Sequence, residues 1–311
     1  MKDNKIILFV LLVFQIMSCK SVNTKILPLE KNFNQFFESS NDLQIYFPLF
    51  TDEEGKNIAG DGIVIIFPDK EVMIIDGFYS EASQPFISFL KNDLQISKID
   101  YLVASHFHGD HIGTFPAIID NFKVKNFYSN GAVIDRETSL LLTEKLKETG
   151  LQEIVLTEGD KIQIGKVLIE VLYPSLTDED LYTIFYNPGK NEKKINLSSL
   201  VMKLVYDDFS ILFTGDIYIK AENLLVKEYG SKLKSTVLKA PHHADPYTSN
   251  TRSFLKAVNP ELVIAQRPDE FLFFTKIRFR SMRIPLIRVE EKGYLKLVTD
   301  GNLFEVFEIK E

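Results

Sequence analysis

Ile99-Asp100-Tyr101-Leu102-Val103-Ala104-Ser105-His106-Phe107-His108-Gly109-Asp110-His111 runs from a mostly apolar hexapeptide straight into a histidine cluster. The hexapeptide has the pattern of a strand buried on both faces. Its end delivers Ser105 and the ligand-type residues behind it. The chain has five histidines, and the other two, His242 and His243, are adjacent. A lone histidine is usually structural, but neither a solvated face nor an apolar core collects every histidine of a chain in two places. Metal ligation does. On extended backbone His106 and His108 point the same way and can grip one ion. Asp110 and His111 follow where the loop turns toward a helix and can hold a second ion, with Gly109 expected to permit the turn. Two adjacent ions suit a shared water, which loses a proton near neutral pH and becomes a nucleophile.

Such a site needs further ligands, preferably a bridging carboxylate. Ile211-Leu212-Phe213-Thr214-Gly215-Asp216 supplies one at the end of an apolar strand, and Leu238-Lys239-Ala240-Pro241-His242-His243 again places polar groups at a strand's end. Asp76, closing the Ile74-Ile75 strand, is expected to orient a ligand from behind. Asp110 and His243 are the candidate catalytic residues, His243 as a proton donor to the leaving group.

Around these motifs strands and helices alternate, and hairpins also occur, about Asp207-Asp208 and Asp300-Gly301. The pattern predicts two mixed sheets packed face to face with helices outside, in one domain over residues 41–311. Residues 176–195 are polar and read as a surface loop. Lys276, Arg278, Arg280 and Arg283, with Phe279 between, read as a solvated strand face that could meet a phosphorylated substrate, and Phe271-Leu272-Phe273-Phe274 as core.

The start of the chain has a different logic. Lys2 and Lys5 precede an apolar run, Ile6 to Met17, too short to span a bilayer, followed by Ser18 and the only cysteine, Cys19. This resembles a bacterial lipoprotein signal: residues 1–18 removed, Cys19 lipidated, residues 19–40 a tether. The protein is then expected in the cell envelope, anchored by lipid outside the cytoplasm. A formal charge of −7 without a long basic run argues against stable binding of duplex nucleic acid by charge alone. A small-molecule or phosphodiester substrate is the expected partner.

From about residue 43 to 302 the chain resembles the metallo-β-lactamase superfamily. Asp76 fits its first motif, His106-x-His108-x-Asp110-His111 the second, Asp216 the fourth and His242 the fifth. Asn196-Leu197-Ser198-Ser199-Leu200-Val201, Leu238 to His243, and Ser253 to Pro260 resemble the ComEC-like branch, the nuclease domain of DNA-uptake channels and its free-standing relatives. The resemblance implies a four-layer αββα sandwich with a dinuclear site along one sheet edge. It places His106, His108 and Asp216 on a first ion, and Asp110, His111, His242 and Asp216 on a second. Asn196 stands where most of the superfamily has histidine, so two Zn²⁺ are expected with the first site weaker and open to Mn²⁺. Asn196 and Ser199 are candidate metal or substrate contacts. Whether His242 or His243 is the ligand stays open, since neighbours on extended chain face opposite ways. Ala244 replaces the branch's glycine, and Gln266-Arg267-Pro268 with Phe271–Phe274 replaces its Asn-x-x-Gly-His-Pro. The implied reaction is phosphodiester hydrolysis. A lactone or β-lactam-type carbonyl hydrolase, or a binding protein retaining the fold, are the alternatives.

Overall fold

Along Ile63-Val64-Ile65-Ile66 every side chain is buried, yet successive residues enter different cores. Ile63 and Ile65 join Ile45, Met73 and Val103 against Ile169, Met202, Ile211 and Val237, while Val64 and Ile66 join Phe86, Phe89 and Phe115. The period of two along a strand thus builds two apolar layers from one segment. A third layer lies beyond the second sheet, where Leu212, Leu238 and Val263 meet Leu225, Phe254 and Phe279.

The computed structural model describes residues 26–29, 42–132, 134–175, 192–266 and 272–309. Residues 1–18, read as a signal sequence, Cys19, Arg267, Pro268, Phe271 and the bulk of the polar segment (176–191) lie outside the described residues.

Among the described residues the first sheet runs, in spatial order, β1 (Ile26–Leu29), β16 (Phe304–Ile309), β15 (Tyr294–Thr299), β2 (Leu43–Phe47), β3 (Ile63–Ile66), β4 (Val72–Ile75), β5 (Lys98–Val103), β6 (Lys123–Ser129) and β7 (Glu153–Val155). The second runs β14 (Leu286–Arg288), β13 (Leu262–Ala265), β12 (Val237–Lys239), β11 (Phe209–Phe213), β10 (Val201–Tyr206), β9 (Val167–Tyr173) and β8 (Lys161–Ile164). On the outer face of the first sheet lie α1 (Ser83–Ser88), α3 (Phe115–Asn121) and α4 (Glu137–Thr149), with the short α2 (Gly109–Ile112) between α1 and α3 in the chain and α5 (Glu192–Leu197) adding Ile195 to the same core. On the outer face of the second lie α6 (Ile219–Tyr229), α7 (Arg252–Val258) and α8 (Leu272–Ser281), and α9 (Val289–Lys292) precedes β15. The architecture is the αββα sandwich.

The topology decides where chemistry can gather. β4, β5 and β6 are parallel to one another, as are β11, β12 and β13. Residues at the C-terminal ends of parallel strands share one edge. Asp76, the Ser105–His111 loop, Asp216 and the His242-His243 pair all follow such ends.

Four expectations change. The polar segment read as loop through 195 becomes helical at α5. Lys276 to Arg280 lie on a helix rather than a strand face: Thr275 and Phe279, four apart, face inward with the helical period. Phe273 and Phe274, read as core, are 69% and 52% exposed, because α8 turns them away from that buried face. The stretch read as a tether also carries β1, paired parallel to β16.

Candidate metal centre

Asp76 takes a left-handed backbone angle (φ 60°) at the end of β4 and turns its carboxylate toward the histidine loop. Its Oδ1 accepts from the Ser105 amide at 2.7 Å, and its Oδ2 accepts from Ser105 Oγ at 2.7 Å and lies 2.9 Å from His111 Nδ1. That contact leaves His111 Nε2 to face the cluster. His106 Nδ1 lies 3.1 Å from Ser105 Oγ, and its Nε2 lies 3.0 Å from His108 Nδ1. Gly109 begins α2 without entering the left-handed region. Its want of a side chain answers to crowding instead, since an added Cβ would stand 3.3 Å from the Tyr79 ring.

From the second sheet, Gly215 (φ 47°) turns the chain after β11 and sets Asp216 inward. A Cβ there would stand 2.9 Å from the Ser199 Cβ. Ser199 Oγ accepts from the Asp216 amide at 3.1 Å, so this residue holds the backbone of the turn that carries Asp216. Asp216 Oδ2 lies 3.4 Å from His111 Nε2, 3.3 Å from His243 Nε2 and 4.0 Å from His242 Nε2. Asp110 Oδ2 lies 3.6 Å from His243 Nε2.

Among the described residues three groups bring ligand atoms within 4.8 Å of one another: His106, His111 and Asp216; Asp110, His111 and His243; and Asp61, Asp216 and His243. His108, expected on the first ion, is in none of them, its Nδ1 lying against His106 Nε2, and His111 stands in its place beside His106 and Asp216. The second sheet's deep histidine is therefore His243. His242 is the shallower one, its side chain 16% exposed and lining the cleft beside His108 and Asn196. Its Nδ1 lies 2.7 Å from Thr248 Oγ1 and 3.5 Å from Asp245 Oδ2. Asn196 donates through Nδ2 to Tyr218 Oη at 2.9 Å. Asp61 lies outside every sequence motif that marks the site. A Gly60-Asp61-Gly62 turn leading into an all-apolar strand was the feature that could have exposed it.

The electrostatics follow from burial among mixed charges. Burial, with His111 and His108 beside it, pushes the His106 imidazole well below its ordinary value, so it stays neutral. Burial also works against charge on His111, but Asp216, Asp76 and Asp110 outweigh it and raise that imidazole well above the usual range. His243 is raised likewise, burial being outweighed by Asp216 and Asp61. Burial favours the protonated form of Asp216, yet His243 and His111 hold it well below the usual carboxylate range. Asp110 is depressed by the same two imidazoles against its own burial.

A divalent cation fits this donor set. His111 Nε2, His243 Nε2, Asp216 Oδ1 and Asn196 Oδ1 are buried and make no hydrogen bond. A buried polar atom left so is costly unless a ligand satisfies it. Imidazole nitrogen with carboxylate oxygen is a zinc-type donor set.

Comparison with known proteins agrees. The model of the metallo-beta-lactamase superfamily matches residues 61–266. The competence protein ComA of Neisseria gonorrhoeae is 28% identical over 249 residues, covering 76% of this chain and 31% of that protein. ComE operon protein 3 of Bacillus subtilis is 25% identical over 169 residues, 54% of this chain and 20% of that protein. The chain thus spans about a third or less of these relatives' length. Among solved structures, the metallo-beta-lactamase fold protein YhfI of Bacillus subtilis superposes with a TM-score of 0.51 at 12% identity, over 80% of this chain and 96% of that one. The chain belongs to the metallo-β-lactamase superfamily, in its ComEC-like branch.

Proposed function

We propose that the protein hydrolyses phosphodiesters at a dinuclear centre, with Zn²⁺ as the working ion and Mn²⁺ as the alternative. The observation that carries this reading is the cleft above the cluster. It encloses about 680 Å³ and is walled by Arg136, Asn196, Tyr218, His242, Asp110 and Asp216. A cleft of that size holds a small ligand; with Asp135 and Glu137 on either side of Arg136 in its wall, bound divalent ions would be the counter-charge for an anionic substrate. His106, His111 and Asp216 would hold one ion, and Asp110, His243 and Asp216 are the groups for the other, His111 having only Nε2 to offer. Bound ions supply Lewis-acid polarisation of a phosphoryl oxygen and lower the pKa of a water. Tyr218 Oη accepts from Asn196 and so fixes that amide in the cleft wall. His242, braced by Thr248 and Asp245, is the group placed to pass a proton to a leaving oxygen.

The test is turnover of a chromogenic phosphodiester against a phosphomonoester, a lactone and a cephalosporin by the zinc-loaded protein. The diester should be cleaved fastest and a chelator should stop it. Cleavage of carbonyl substrates alone would remove the diester reading and leave the metal centre standing.

We infer further that Cys19 is lipidated and tethers the domain to a membrane of the cell envelope, on the strength of the apolar run ending at Ser18-Cys19. No helix among the described residues is long and apolar enough to cross a membrane. Cys19→Ser should leave the membrane fraction or remain unprocessed. A wild-type protein found soluble with an unmodified Cys19 would end the idea.

A further inference from the structure

We infer that Asp61, itself held by Lys239, is a positioning residue that sets His243 to present Nε2 to the cation site shared with Asp110 and Asp216. The inference rests on the metal-centre reading above and adds a device to it.

Asp61 follows Gly60 ahead of β3, in the first sheet, whereas Lys239 ends β12 and His243 lies in the loop beyond, in the second. All three are buried. Lys239 Nζ donates to Asp61 Oδ2 at 2.5 Å, and Asp61 Oδ1 lies 3.2 Å from His243 Nδ1. The carbonyl oxygen of Gln266 lies 3.1 Å from the same nitrogen. Both partners of Nδ1 accept, so Nδ1 carries the proton. Nε2 is the nitrogen left to coordinate, and it points to Asp216 Oδ2 at 3.3 Å and Asp110 Oδ2 at 3.6 Å.

Asp61 is close enough to Asp216 and His243 to count as a ligand by distance, but both of its oxygens are already engaged, and it does not line the cleft. It serves from behind. Its backbone amide also donates to the Asp110 carbonyl at 3.1 Å, so one residue sets the spacing between Asp110 and His243. His111 is handled the same way from its own sheet, with Asp76 behind Nδ1. A buried ammonium–carboxylate pair is a poor way to gain stability, because desolvation cancels most of the attraction. A pair placed behind a ligand gives the ring one tautomer and one orientation.

The test uses Asp61→Asn combined with Lys239→Met, which removes both charges and leaves no unpaired buried ion. Titration with Zn²⁺ alone should give a cooperatively folding protein that keeps the His106–His111–Asp216 ion and binds the second about 10–100-fold more weakly. Two ions bound as in wild type, or equal weakening of both, would overturn the inference. A second measurement needs neither the variant nor a metal. In histidine-labelled wild type, a ¹H–¹⁵N spectrum should show a downfield, slowly exchanging Nδ1 proton on His243, assigned by its loss in His243→Gln. Its absence would overturn the inference even if zinc binds. Failure of wild type to bind zinc, with that proton present, would instead count against the metal centre.

Discussion

From Ser105 to Thr114 the chain turns with no residue in the left-handed region, whereas His242, His243 and Ala244 occupy it in succession at φ 47°, 56° and 68°. The first histidine loop relaxes into a helical turn at the end of a strand, braced by Asp76 and packed against Gly60. The second is forced. Left-handed angles cost a side-chain-bearing residue about 1–2 kcal/mol each, and tertiary contacts must supply that. Thr275 Oγ1 donates to the Ala244 carbonyl, Ser249 Oγ and Asn250 Nδ2 donate to the Pro241 carbonyl, and Asp61 and Gln266 hold His243. The two loops teach that similar ligands can be delivered by local geometry or by strain imposed from outside, and that the second kind stays invisible until the whole domain is assembled.

Asp216 is the one carboxylate against which both loops close, so removing it should have the largest effect. Asp216→Ala should bind both ions at least about a hundredfold more weakly, beyond the 10–100-fold typical of outer partners, and lose turnover with them. Loss of only one ion, read by metal stoichiometry on the purified variant, would show that the loops do not share this ligand.

Metal uptake should sharpen the contrast in protonation. His106 is held neutral, ready to ligate, while His111 and His243 are raised well above the ordinary histidine value and retain protons in the metal-free protein. The stability those two raised imidazoles contribute is therefore present below the unfolded value and lost as pH climbs through their folded values. The depressed Asp110 and Asp216 act oppositely, their contribution present above the unfolded carboxylate value and lost as pH falls through their folded values. Zinc must displace the histidine protons, so affinity should rise with pH, about tenfold per unit for each proton released. Competition titrations at about pH 6 and about pH 8, with calorimetry in buffers of different ionisation enthalpy, would measure it. A flat profile with no proton release would remove the electrostatic picture.

Steric substitutions probe the loops directly. A Cβ at Gly60 would meet the Asp110 carbonyl oxygen at 2.4 Å, and the residue sits at φ 131°. Backbone cannot swing aside as a side chain can. Gly60→Ala should lose about 1–3 kcal/mol from overpacking alone, with further strain from φ, and should displace Asp110. Urea unfolding of the metal-free protein would read the loss, and an unchanged midpoint would mean the first loop is not sterically pinned. The mirror experiment is the smallest. Ala244→Gly relieves a left-handed alanine while loosening the unfolded chain, so stability should rise by at most about 1 kcal/mol. A clear loss would show that the alanine methyl matters to packing more than its backbone angle.

Much of this protein is legible in its sequence alone. Period-two runs such as Ile63 to Ile66, and apolar strands ending in Asp76, Ser105 and Gly215-Asp216, carry the sandwich and one side of its site, because both signals are local. Lys276 to Arg280 misled because a basic run interleaved with phenylalanine satisfies a strand and a helix equally. Only the inward turn of Thr275 and Phe279 decides between them.

What the sequence determined by itself was the fold class, the clustering of histidine and aspartate at strand ends, and hence a candidate metal centre. What tertiary structure alone decided was which of two adjacent histidines goes deep. His243 does, because Asp61, 182 residues away, stands behind its Nδ1, and Lys239, 178 residues from the same aspartate, holds that carboxylate in turn. No periodicity or spacing encodes such a contact. It exists only once two sheets, each built from its own local pattern, have packed face to face and brought their edges together.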